Sequence, residues 1–134
     1  MADKFMLKIS TPEKEFYSGD VDSLVITTPE GEMGVLPGHM TAVVALDIAP
    51  IKFKTGDEWQ EAAVSGGFAS IRSDHVDILA DAAEWPEDIE VNRALEAKRR
   101  AEERLQSQLN EVEYIRSQLA KKRALARLAV VNRR

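Results

Sequence analysis

The sequence predicts about eight to ten short antiparallel strands, in a sandwich or barrel, followed by a helical segment. Three observations lead there. Turn chemistry recurs every few residues up to about residue 82. Several intervening segments alternate: in HVDILA, Val76, Ile78 and Ala80 share one face while Asp77 and Leu79 take the other. Beyond Pro86 there is no further Gly or Pro, and good helix formers dominate.

Taken in order, FMLKIS and an EFY segment flank Thr11-Pro12. VDSLVITT runs to a Pro29-Glu30-Gly31 turn, and MGVL to Pro37-Gly38. HMTAVVALDI and PIKFK follow as separate strands, with a Thr55-Gly56-Asp57 hairpin turn before WQEAAV. Ser65-Gly66-Gly67 reads as a tight turn, and Ser73-Asp74 joins FASIR to HVDILA.

Pro86 marks the boundary, giving segments 1–85 and 86–134. Asp88 is the expected N-cap, with Glu90 in the first turn. Ala94, Ala97, Ala101 and Leu105 form a narrow stripe suited to close helix packing. Ile115, Leu119, Leu125 and Leu128, with Ala124 between, form a second. Propensity permits one rod of ~44 residues, roughly 66 Å long. Yet Asn110 with Glu113 makes a capping-box pattern, so a hairpin breaking near 106–110 is equally available.

Charge is divided unevenly. The formal net charge is −5 over 134 residues. Residues 1–85 hold 6 Lys/Arg against 15 Asp/Glu, a balance of −9, and residues 86–134 hold 12 against 8, a balance of +4. The last acid is Glu113. After it come Arg116, Lys121, Lys122, Arg123, Arg127, Arg133 and Arg134. Such a segment suits an anionic partner, a nucleotide or a solvated helix face.

Several function classes fit poorly. The absence of cysteine removes disulfides, thiolate metal sites and cysteine nucleophiles. His39 and His75 are too few for a histidine metal cage, so no metal site is expected, and neither stands in a triad spacing. No G-x-x-x-x-G-K-[ST] phosphate loop occurs, so no catalytic residues are assigned. A nucleic-acid-binding barrel with a basic arm has the charge. However, it has no aromatic residue after Tyr114 to stack bases, and its −9 half repels phosphates. No apolar run approaches the ~18–20 residues that span a bilayer. MADKFMLKIS lacks a signal-peptide core, so a cytoplasmic location is expected.

The stretches TPE, GEMGVLPGH at 31–39, VSGGF at 64–68 and VDILADAAE at 76–84 stand ahead of the helical tail. In that combination, the chain resembles the epsilon subunit of bacterial F-type ATP synthases over essentially its whole length. The resemblance implies a β-sandwich of about ten antiparallel strands followed by a C-terminal α-helical hairpin. It implies a non-catalytic rotor subunit coupling gamma to the membrane c-ring during proton- or sodium-driven ATP synthesis. The expected partners are gamma, the c-ring and the alpha and beta subunits of the catalytic head, with no nucleic acid. The expected place is peripheral, on the cytoplasmic face of the cell membrane, without bilayer insertion.

The resemblance also suggests residues. Glu30, Gly31, Glu32, Leu36, Pro37, Gly38 and His39 correspond to a loop that contacts gamma and the c-ring. Its glycines and proline make it stiff, and its acids could pair with basic residues on the ring. Leu36, Val43, Val44 and Leu46 are candidates for an apolar patch that gamma covers. Arg116, Lys121, Lys122, Arg123 and Arg127 correspond to a basic helix that, on an extended hairpin, meets acidic segments of the catalytic beta subunits and blocks hydrolysis. Some family members bind regulatory ATP through I/L-D-x-x-R-A. Here the stretch is Ile89-Glu90-Val91-Asn92-Arg93-Ala94, with Glu in place of Asp. Glu84, Glu90, Arg93, Arg100, Arg123 and Arg127 are the candidate nucleotide residues, and no cofactor other than ATP is implied. The longer side chain at 90 is expected to weaken binding.

Overall fold

The computed structural model describes residues 3–131; Arg133 and Arg134 of the basic run lie outside the described residues. Eight strands come first: β1 (Phe5–Ser10), β2 (Glu15–Val21), β3 (Ser23–Thr28), β4 (Gly31–Val35), β5 (Ala42–Thr55), β6 (Glu58–Ile71), β7 (His75–Ala80) and β8 (Ala83–Glu84). A 3-10 turn, Pro86–Asp88, leads to α1 (Val91–Leu105) and α2 (Glu111–Val131).

The strands are ordered β2-β1-β7-β6-β5-β3-β4, with β8 beside β6. The two 14-residue strands make a sandwich of this sheet. The inner half of β6 pairs with β8 and its outer half with β7, while β3 pairs only with the Lys52–Lys54 end of β5. Each long strand thus serves both layers, and counting each twice turns eight strands into the ten positions expected. Closure shows in the rings: Tyr17 on β2 lies 4.5 Å from Phe53 on β5, although three strands separate them in the sheet.

The sequence reading needs three corrections here. HMTAVVALDI and PIKFK are one strand, β5. Ser65-Gly66-Gly67 is no reversal but the bend inside β6: Gly66 (φ 86°) and Gly67 (φ 124°) swing the strand between layers while its pairing with β5 keeps register on both sides. Finally, one ladder is parallel, β1 with β7, because the two strands are brought together by the fold rather than by a hairpin.

Alternation explains the core. Phe5, Leu7 and Ile9 of β1 point inward, as do Val76, Ile78 and Ala80 of β7. With Val21, Leu24, Ile26, Val35, Ile51, Phe53 and Ile71 they form one apolar cluster. Burial of this area is the main stabilising term of the sandwich. Trp85 stacks on Phe16 at 4.3 Å and anchors the chain where strands give way to helices.

A second cluster joins the halves: Ala63 of β6, Ile89, Ala94 of α1, and Ala126, Leu128 and Val130 of α2, with Ile48 beside them. Burial of Ile89 moves the start of α1. Asp88 lies in the 3-10 turn, and the helix begins only after Ile89 has packed. Glu90, not Asp88, is the N-cap, accepting from Asn92 N through Oε1 and from Arg93 N through Oε2, both at 3.1 Å.

The hairpin turns after Leu105, with Gln106 as C-cap. The Asn110 cap is present: Glu113 N donates to Asn110 Oδ1 at 2.8 Å, and Asn110 Nδ2 to Glu113 Oε1 at 2.6 Å. The seam is finer-grained than the sequence stripe suggested. Ala94 and Ala101 of α1 are buried, but on α2 the buried residues are Ser117, Ala124, Ala126, Leu128 and Val130. Ile115, Leu119 and Leu125 face outward. Small residues line the approach of the two helices, Leu119 borders the cleft between them, and Leu128 and Val130 are buried against Ala63 and Ile89 instead.

Candidate functional site

The hairpin carries two adjoining clefts. The first, about 190 Å³, is lined by Glu84, Asp88, Glu90, Arg93, Arg100 and Arg127, with Ile89 and Ala97 at its apolar side. It brings together five of the six candidate nucleotide residues. The second cleft, about 430 Å³, runs between α1 and α2 past Arg100, Arg104, Arg116 and Arg123 over a floor that includes Ala97, Ala101, Ser117 and Ala120. Arg123, the sixth candidate, lies here, and Arg100 and Ala97 border both clefts.

Their electrostatics differ. In the first cleft three carboxylates face three guanidinium groups, and Arg127 Nε donates to Glu84 Oε1 at 2.5 Å. The second has four guanidinium groups and no acid in its lining. A polyphosphate suits such a fork-donor set. Arg104 and Arg116 were absent from the nucleotide reading; the signal that could have found them is helical phase, since Arg100 and Arg104 stand four apart.

Glu90 occupies the position where the motif has Asp, and both its oxygens accept from the first-turn amides. The longer side chain folds back on its own helix.

The cations of α2 divide. Lys122 Nζ donates to Asp47 Oδ1 at 2.8 Å, and Arg127 pairs with Glu84, tying α2 to the sandwich. Lys121 lies 3.5 Å from Glu102 on α1. Arg116 and Arg123 line the arginine cleft. Asp47 sits on β5 between the residues paired with Gly67 and Ser65, and its Oδ1 also accepts from Ile48 N at 2.8 Å. The Lys122 hydrogen bond, joined by that amide, holds its carboxyl below the ordinary 3.8, against the opposing effect of burial.

On the sandwich, the stretch 30–39 is not one loop. Glu30 belongs to the β3–β4 turn, where its N donates to Thr28 Oγ1 at 3.2 Å, and Gly31 opens β4 opposite Thr28. Leu36, Pro37, Gly38 and His39 follow β4 at its far end, roughly 14 Å away at strand rise. Glu32 stands on β4 itself, paired with Thr27. His39 turns back: Nδ1 meets the Leu36 carbonyl, and the ring packs edge-on to Phe5 at 5.2 Å.

The apolar patch is also redrawn. Leu36 and Val43 are exposed, but Leu46 is buried and Val44 packs on the core, as alternation along β5 requires. The surface patch is Val43 (70 % exposed), Phe68 (59 %) and Leu79 (64 %). Val43, Phe68 and Leu79 border an open cleft of about 510 Å³ with Lys8, Ser10 and Asp77 at its sides. Leu79 was placed on the outer face by its pattern; its partner across the ladder, Phe68, was missed.

Among the described residues no helix is long and apolar enough to cross a membrane.

The ATP synthase delta/epsilon chain β-sandwich domain model matches residues 4–86, and the long α-helix domain model of the same chain matches residues 87–132. The chain is similar to the ATP synthase epsilon chain of Ruminiclostridium cellulolyticum, 47 % identical over 130 residues, covering 97 % of each chain. It is likewise similar to that of Bacillus licheniformis, 47 % identical over 124 residues, covering 92 % of this chain and 95 % of the relative. Among solved structures it is similar to a chain of the Euglena gracilis mitochondrial ATP synthase OSCP/F1/c-ring assembly. That likeness has a TM-score of 0.85 and 27 % identity, covering 96 % of this chain and 81 % of the other. A chain of the Tetrahymena thermophila mitochondrial ATP synthase central stalk and c-ring shares the fold, at TM-score 0.69 and 15 % identity.

Proposed function

The chain belongs to the ATP synthase delta/epsilon family, and from that membership and the geometry above we propose that it is a non-catalytic central-stalk subunit of an F-type ATP synthase. In this reading the sandwich couples gamma to the c-ring, peripheral to the membrane on its cytoplasmic side. The patch of Val43, Phe68 and Leu79 is the surface gamma covers, and Glu30, Glu32 and the Leu36–His39 segment offer separate contacts toward gamma and the ring. The hairpin is a brake on ATP hydrolysis: extended along gamma, it carries Arg116, Lys121, Lys122, Arg123 and Arg127 to acidic segments of the catalytic beta subunits.

The observation that carries the brake is the way α2 is held. Among the described residues, its contact with the sandwich includes a small apolar cluster and two ion pairs, both partly solvated. Exposed pairs contribute about 0–1 kcal/mol each, so such a docking is reversible. The test is a reconstituted synthase carrying the chain cut after Glu87. Assembly and synthesis should persist while hydrolysis rises; unchanged hydrolysis would remove the brake.

A second reading has its own support in the two clefts. Regulatory ATP bound by Glu84, Glu90, Arg93, Arg100, Arg123 and Arg127 would stabilise the folded hairpin. A cleft of 190 Å³ is small for a nucleotide, below the ~300 Å³ of ordinary ligand sites. The arginine cleft beside it offers the room and charge for a triphosphate. At one hundred times Kd, ATP would add about 2.7 kcal/mol to the folded state. A full switch from 1:99 to 99:1 needs about 5.5 kcal/mol, so ATP would bias the brake rather than set it.

A further inference from the structure

We propose that Asp47 and Glu84 form a two-sided acidic latch on the sandwich, which competes with an external acidic partner for the α2 cations Lys122 and Arg127. The proposal rests on the brake reading, since only a hairpin that leaves the sandwich has two sets of acids to choose between.

Sheet order supplies the geometry. β5 and β8 are the two neighbours of the inner half of β6. Asp47 stands on β5 and Glu84 on β8, while Ala63 of β6 packs with Ala126, Leu128 and Val130 between them. Lys122 and Arg127 are five residues apart, about 140° around the helix axis and roughly 7.5 Å along it. They therefore reach to opposite sides of α2. The helix packs over β5 and β6 and is held at 2.8 Å by Asp47 and at 2.5 Å by Glu84.

Among the described residues, Lys122 and Arg127 are the α2 cations paired with the sandwich; Lys121 is paired within the hairpin. The four side chains are 29–48 % exposed, so water replaces these partners at small cost when the helix lifts. Docked, the two cations are neutralised. Lifted, they are available to an acidic surface, and Asp47 and Glu84 are left solvated.

The test uses the full chain and the assembled ATPase. The sequence has no cysteine, so spin labels at Asp57→Cys and Gln118→Cys report the distance from the β5–β6 turn to α2. Without nucleotide, Asp47→Asn with Glu84→Gln should raise the long-distance population roughly two- to thirtyfold, the range set by two exposed pairs. Lys122→Gln with Arg127→Gln should raise it similarly. In the assembled enzyme the two double variants should part: the acid pair lowers hydrolysis, because the cations remain and are freed, and the cation pair raises it. Unchanged distances in the acid variant, with the strand signals of circular dichroism intact, overturn the latch. Hydrolysis moving the same way in both variants overturns the competition. If the cut after Glu87 leaves hydrolysis unchanged, the brake and the competition fall together, while the distances still decide the latch.

Discussion

Arg127 is paired with Glu84 at 2.5 Å inside the cleft that also holds Glu90, Arg93 and Arg100. A nucleotide entering there must take a guanidinium group from a carboxylate that already holds it. Titration of the chain with Mg-ATP should therefore give weak binding, abolished by Arg93→Ala with Arg127→Ala. Binding that survives in the double variant would place the nucleotide elsewhere, and no heat at millimolar ATP would leave the hairpin to gamma and the catalytic subunits.

Glu90 accepts from two first-turn amides that have no other helical acceptor. Glu90→Ala should lower the stability of the tail by about 1 kcal/mol, read as earlier loss of helical signal while the strand signal persists. Glu90→Asp should retain the cap, since Asp is a preferred residue there, and strengthen ATP binding if the shorter acid frees an oxygen for the nucleotide. An alanine variant with unaltered helix melting would show that the cap contributes nothing.

Gly67 is fixed by close approach as well as by φ. A Cβ there would stand against the Leu79 carbonyl and 2.8 Å from Ala80 Cα. Gly67→Ala should destabilise the sandwich by more than about 3 kcal/mol, in the range reserved for disrupted backbone geometry. Gly34 has nothing near its Cβ position and no positive φ, so Gly34→Ala is the mild control. Equal midpoints in urea for the two variants would contradict this account of the bend.

Phe68→Glu and Leu79→Glu alter side chains that are mostly solvated, so the isolated chain should keep its stability within about 0.5 kcal/mol. Binding to gamma should fall by tenfold or more, because a charge would be buried without a partner. Wild-type affinity in both variants would move the gamma surface elsewhere.

Much of this was written along the chain because its causes are local. Alternation in HVDILA placed Val76, Ile78 and Ala80 in the core, and the Asn110–Glu113 cap lay three residues apart in the sequence. Pro86 and the lack of later Gly or Pro marked the change from strands to helices. The tertiary structure decided whatever depends on a partner far away in sequence. Asp88 lost the cap because Ile89 is needed against Ala63 and Ala126. Ser65-Gly66-Gly67 became a bend because β7 and β8 pair with the two halves of one strand. Ile115 and Leu125 stay exposed because the face of α2 that carries Ala126, Leu128 and Val130 is the one packed on Ala63. Lys122 and Arg127 belonged to an ordinary basic stretch until Asp47 and Glu84, 75 and 43 residues earlier, were brought to either side of the helix. Propensity and periodicity act over a few residues; burial, close approach and charge pairing act across the fold.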